Sequence, residues 1–125
     1  MINLKNILRK PTIIPKGWGR EEVICNNSEY CGKRLIFKKG SKLSLHAHCL
    51  KRETFYVARG NLILRLIDTE DATKHEARIS KGSVVEIDRM LPHQLIAIED
   101  SEVIEFSTHH DDFDSYRYEP GDSQR

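Results

Sequence analysis

Residues 40–60 read GSKLSLHAHCLKRETFYVARG, and this stretch decides the fold. His46 and His48 stand two apart. In an extended strand successive side chains alternate between faces, so both imidazoles point to the same side. Glu53 returns on the next antiparallel strand after a short loop. Pro92-His93 lies well downstream and reaches the same place only if a distant segment folds back. Three imidazoles and one carboxylate are a divalent-metal ligand set. The expectation is a mononuclear metal centre inside a β-structure, held by His46, His48, Glu53 and His93. One divalent transition metal is implied; manganese, zinc, iron, nickel and cobalt all suit such donors, and affinity alone does not choose among them.

Working outward, short β-rich runs alternate with turn signals from Glu21 onward. Strands are expected near 21–25, 33–38, 42–48, 52–58, 61–67, 76–79, 83–87, 93–98 and 102–108. Their breaks are Asn26-Asn27-Ser28, Lys39-Gly40, Arg59-Gly60-Asn61, Asp68–Lys74, Lys81-Gly82 and Glu99-Asp100-Ser101. Many short strands at this rhythm indicate an all-β sandwich or barrel. No helical periodicity is sustained long enough to compete. Residues 1–19 read as an N-terminal arm, because Pro11, Pro15, Gly17 and Gly19 interrupt regular structure. Residues 20–108 form the barrel, and the polar, aromatic stretch 109–125 is a tail.

The chain has 125 residues, enough for one domain with a real core. Lys and Arg number 20 against 19 Asp and Glu, a formal charge of +1, which argues against a nucleic-acid footprint. Cys25, Cys31 and Cys49 are an odd number without a CxxC pair, so neither a disulfide framework nor a cysteine zinc site is indicated. Free thiols suit a reducing compartment. The opening MINLKNILRKP lacks a signal peptide's apolar run, and no stretch approaches the ~20 apolar residues of a membrane span. A soluble cytoplasmic protein without membrane contact is the expectation.

Gly40-x5-His46-x-His48-x4-Glu53-x6-Gly60 resembles the first cupin motif. Lys81–Ile87 followed by Pro92-His93 is similar to the second. The resemblance covers roughly residues 30–108. It implies a jelly-roll (double-stranded β-helix) cupin barrel, which packs two sheets and limits exposed edges. Carried over residue by residue, it makes His46, His48, Glu53 and His93 the metal ligands. The second motif departs from the pattern: Asp88-Arg89-Met90-Leu91-Pro92 replaces the usual Pro-x-Gly turn, with Arg89 and Met90 expected at the barrel mouth. A second resemblance reaches the flanks. Pro15-Lys16-Gly17-Trp18-Gly19 with Glu22-Val23, and Val103–Phe106, are similar to the opening and last strand of cupin domains in bacterial mannose-6-phosphate isomerases. His46 stands where those isomerases usually carry Gln, and Lys16-Gly17 is inserted. The resemblance implies a sugar-handling protein.

Candidate substrate residues follow from charge and alternation. Lys33 and Arg34 lead into the metal motif, and an anionic sugar would need such cations. Arg34 is the preferred pocket residue, because Leu35 and Phe37 alternate away from it. Glu105, between Ile104 and Phe106, is the candidate acid–base group if it points inward, since burial would raise its pKa. Cys49 should face away from the metal. The tail, with His109-His110, Tyr116 and Arg117, either closes over the barrel or lies on its surface. Trp18 reads as a staple holding the arm to the barrel.

The leading expectation is a metal-dependent isomerase-like protein acting on a sugar or sugar phosphate. An Fe(II) dioxygenase and a non-catalytic carbohydrate-binding module are the alternatives. A homodimer joined through the arm, residues 1–15, completes the reading.

Overall fold

The computed structural model describes residues 1–125. Eleven strands run in chain order: β1 (Thr12–Lys16), β2 (Gly19–Asn26), β3 (Cys31–Phe37), β4 (Leu45–Ala47), β5 (Glu53–Arg59), β6 (Asn61–Asp68), β7 (Thr73–Ser80), β8 (Val84–Ile87), β9 (His93–Ala97), β10 (Ser101–Ser107) and β11 (Tyr116–Glu119). They form a six-stranded sheet, β1-β2-β3-β10-β5-β8, and a five-stranded sheet, β11-β4-β9-β6-β7. All strand pairs are antiparallel. The architecture is the expected all-β jelly roll. No helix is long and apolar enough to cross a membrane.

Both flanking stretches enter the sheets: the one read as an arm supplies β1, and the one read as a tail supplies β11. Pro15 sits inside β1 because that strand is the sheet's edge, where a missing N–H leaves no partner unpaired. β11 pairs with β4, so the tail is part of the barrel wall. The strand expected over 42–48 shortens to Leu45–Ala47, with Lys42 making only an isolated bridge to Ile96.

Alternation explains the core. Along β3, Cys31, Lys33, Leu35 and Phe37 are buried while the residues between them are half-buried. Leu35, Phe37, Phe55, Val57, Leu62, Leu64, Leu95 and Val103 belong to one apolar cluster between the sheets. Fully burying each such side chain stabilises the fold by roughly 1.5–3 kcal/mol. Trp18 is 3% exposed and stacks on Phe37, with ring centroids 4.6 Å apart, so it is the expected staple. Its carbonyl accepts from Lys38 N and Ser41 Oγ, both at 2.9 Å. Gly60, at φ +95°, turns the chain from β5 in one sheet to β6 in the other, and a Cβ there would lie 2.2 Å from Ser101 Oγ.

The interior changes character along the strands. Val103 sits opposite Leu35 on one side and Val57 on the other. Two residues on, Glu105 sits opposite Lys33 and Phe55. One end of the barrel is an apolar plug; the other is polar and holds the site.

Candidate metal centre

β4, β5 and β9 deliver the four expected ligands. His46 lies directly opposite His93 in the β4–β9 pair. His48 follows the end of β4, and Glu53 opens β5. One ligand atom from each of His46, His48, Glu53 and His93 lies within 4.8 Å of all the others.

The histidine orientations are fixed by carbonyls. His46 Nδ1 donates to Ser44 O at 2.9 Å, His48 Nδ1 to Asp114 O at 2.7 Å, and His93 Nδ1 to Leu91 O at 2.8 Å. A carbonyl oxygen only accepts, so each Nδ1 carries a proton, and a neutral ring so held turns its Nε2 lone pair toward the cluster. Metal-binding histidines are oriented in this way. His93 Nε2 lies 2.7 Å from Glu53 Oε1, and His48 Nε2 lies 3.6 Å from the same atom. His93 Nε2 and Glu53 Oε1 are buried without a hydrogen-bond partner, while Glu53 Oε2 meets the Lys51 ammonium at 3.2 Å. Lone pairs crowded at this separation repel unless a cation lies among them. The residues therefore fit a divalent metal ion.

Electrostatics keep the donors in their binding forms. Burial pushes His46 down to about 3, aided by neighbouring His93 and His48. Burial and the Lys51 charge push His48 down to about 4. For Glu53 burial acts upward, but its neighbours, the Lys51 ammonium among them, outweigh it and hold the carboxyl below its usual range. These imidazoles are neutral and the carboxylate ionised at neutral pH, as metal binding requires.

His46, His48 and Glu53 line a cavity of about 240 Å³, with His93 behind them, and its 19 lining residues include only four hydrophobic ones, so it suits a polar ligand. Lys33 and Glu105 line this cavity, each almost fully buried. Lys33 Nζ lies 3.1 Å from Glu21 Oε1. Burial and the charge of Glu53 raise Glu105, against the opposing pull of Lys51. Arg34 is not in the cavity. It alternates with Lys33 to the outer face of β3, where it pairs with Glu22 and Glu102. The expected alternation holds with its sense inverted: Leu35 and Phe37 point inward, and Lys33 goes with them. Arg89 and Met90 also lie outside the cavity, lining a separate surface groove. Met90 takes φ +69° in the altered second motif, and its N–H donates to His48 O at 2.7 Å. Cys25, Cys31 and Cys49 are free thiols, and Cys49 does not line the cavity.

Lys51 was missed from the sequence. Its Nζ lies 3.2 Å from Glu53 Oε2 and 3.2 Å from Glu105 Oε2. Burial acts to lower its pKa, but the two carboxylates outweigh that and raise it. Lys51 also donates to His110 Nδ1 at 3.0 Å, which makes His110 Nε2 a donor to Asp112 Oδ1 at 2.8 Å. The tail does close over the barrel: His110 and Arg117 line the cavity, whereas His109 bonds Asn27 O and Tyr116 is exposed. A lysine placed between two ligand positions was the available signal for Lys51.

The cupin family profile matches residues 15–116, and the chain belongs to the cupin family. Solved structures share the fold. One is the capsular polysaccharide assembling protein CapF from Staphylococcus aureus, 22% identical over 87% of this chain and 34% of that one, with a TM-score of 0.76. Another is oxalate decarboxylase from Bacillus subtilis at pH 4.6, 15% identical over 86% of this chain and 30% of that one, with a TM-score of 0.75. KdgF from Halomonas sp. is 20% identical over 75% of this chain and 81% of that one, with a TM-score of 0.65. The chain spans about a third of the length of CapF and of the oxalate decarboxylase. No curated protein sequence matches it significantly.

Proposed function

We propose that the protein is a metal-dependent enzyme acting on a small anionic sugar, with isomerisation of a sugar phosphate the reaction its groups fit best. The observation that carries this reading is the juxtaposition of the four-donor cluster, three of whose members line the polar cavity, with the buried Lys51–Glu105 pair lining the same cavity. His46, His48, Glu53 and His93 hold the ion. A divalent ion there supplies Lewis acidity toward a carbonyl or hydroxyl oxygen. Manganese, zinc, iron, nickel and cobalt remain the metals the donor set suits.

Charge supports an anionic substrate. Four cationic side chains line the cavity (Lys16, Lys33, Lys51, Arg117) and four carboxylates (Glu21, Glu53, Glu105, Asp112). These cancel, so a bound divalent ion leaves an excess of two positive charges. Arg117 is a cation at the cavity without a carboxylate partner in the chain, and it replaces Arg34 as the anchoring candidate beside Lys33.

Isomerisation moves a proton between adjacent carbons. Glu105 is the acid–base group of this reading: its raised pKa brings it nearer the neutral range that suits such a role. Lys51 holds Glu105 Oε2, and the hydrogen bonds from Lys51 through His110 to exposed Asp112 give that proton a route toward solvent. CapF, named for capsular polysaccharide assembly, adds general support for carbohydrate chemistry on this fold.

A dioxygenase remains the second reading, because the same four donors hold Fe(II). The test is reconstitution with each metal, followed by assays of aldose–ketose sugar-phosphate interconversion and of oxygen uptake. The proposal expects turnover that Glu105→Gln abolishes while metal content is retained. Oxygen uptake with iron would replace it by the dioxygenase, and saturable sugar binding without turnover would replace it by a binding module. Pairing of two copies belongs to the same reading. Ile2, Leu4, Ile7 and Leu8 are exposed ahead of β1. Removing residues 1–11 should halve the mass in solution; an unchanged mass would reject that role.

A further inference from the structure

The loop from Cys49 to Arg52 joins His48 to Glu53, and its backbone is tied to a carboxylate far along the chain. Asp114 is 5% exposed. Its Oδ1 accepts from the amides of Cys49 at 2.9 Å and Leu50 at 3.1 Å. Its Oδ2 accepts from Leu50 at 3.1 Å and Lys51 at 3.0 Å. Three successive N–H groups make an anion nest, here filled by the protein's own side chain. The carbonyl of the same residue accepts Nδ1–H of His48 at 2.7 Å.

Asp114 is itself held in place. Its N–H donates to Asp111 O at 2.9 Å, and Asp111 Oδ1 caps the same turn through Phe113 N at 2.9 Å. Beyond the turn, Tyr116 pairs with Ala47 and Arg117 with His46. Further on, a Cβ at Gly121 would lie 2.2 Å from Ser44 N, so the chain crosses this segment backbone to backbone.

The other ligand histidines are oriented locally. His46 and His93 each donate to a carbonyl two residues earlier in their own segment. His48 alone depends on a distant element.

We infer that Asp114 is a positioning residue of the metal centre, fixing His48 as the Nδ1–H tautomer and setting the loop that carries Lys51 into the cavity. This rests on the reading of the four residues as metal ligands. Free imidazole favours the Nε2–H form, which puts a hydrogen where the ion must bind. Loss of such outer partners typically lowers metal affinity about 10–100-fold.

The experiment uses the full chain, metal-free and 15N-labelled, as wild type, Asp114→Ala and Asp114→Asn. Long-range 1H–15N correlations read each ring's tautomer, and calorimetric titration with cobalt(II) reads affinity. All three ligand histidines should be Nδ1–H in the wild type. In Asp114→Ala, His48 alone should gain Nε2–H character, and the cobalt Kd should rise about 10–100-fold. Asp114→Asn keeps one acceptor oxygen and should fall between; it also serves if the alanine variant does not fold. An unchanged His48 tautomer and unchanged affinity in either folded variant would overturn the inference. So would a shift of all three rings together, which is general loosening. A wild type that binds no cobalt would instead overturn the metal reading, and the positioning role with it.

Discussion

The two halves of the barrel interior stand on the same strands and are separated by one step of two residues. Leu35 gives way to Lys33, Phe55 to Glu53, Leu95 to His93 and Val103 to Glu105. Each pair shares the inward face of its strand, and every one of these side chains is buried. Phe37 and Val57, at the apolar end, belong to the cluster that makes the barrel stable. At the polar end, buried charges and unpaired donors cost folding free energy unless an ion compensates them. Alternation thus lets one set of strands carry a stabilising plug and a strained site side by side.

The largest expected effect separates the halves. Phe37→Ala should cost about 3–5 kcal/mol of unfolding free energy while the folded fraction still binds metal stoichiometrically. His93→Ala should do the reverse, removing metal with a smaller loss in the metal-free chain. Denaturant melts paired with metal analysis check both; equal stability losses with metal retained in each would erase the distinction.

A pH series sharpens it. His46 and His48 lie well below 6.5 in the folded chain. Between pH 6.5 and 4 the unfolded chain binds protons that these rings refuse. Metal-free stability should therefore fall as pH drops through that window, by about 1.4 kcal/mol per pH unit for each excess proton. Glu105, raised in the fold, opposes part of this fall. The slope should survive in a milder plug variant, Val57→Ala, and flatten in His46→Ala/His48→Ala. A flat wild-type profile would contradict the buried, neutral imidazoles.

The all-β fold and the facing of His46 and His48 were legible because both rest on short-range rules, whereas His93 needed the fold to bring a distant segment back. The two-residue spacing of His46 and His48 follows from strand alternation, and Gly60 marks the turn that carries the chain from one sheet to the other. β1 and β11 escaped because neither repeats the alternating pattern: β1 carries Pro15, and three of four β11 residues are exposed. Arg34 was misplaced because alternation gives two faces without saying which is inside. The burial of Leu35 and Phe37 decides it. Asp114 and His110 were illegible as partners of the metal loop, since only the folded tail brings them there.

The smallest effect tests that correction. Arg117→Ala should weaken binding of inorganic phosphate or a sugar phosphate about tenfold, a loss of ~1.4 kcal/mol typical of one charged hydrogen bond. Arg34→Ala should leave it unchanged and cost at most about 1 kcal/mol of stability, as exposed ion pairs do. Titration calorimetry reads both, and a larger loss in Arg34→Ala would return that residue to the site.

The central claim is that the polar half is built around an ion. Elemental analysis of untagged protein, purified without chelator beside a His46→Ala/His48→Ala control, tests it most directly. The account predicts near-stoichiometric transition metal in the wild type and its loss in the control. A wild type that holds no metal even after reconstitution would contradict it.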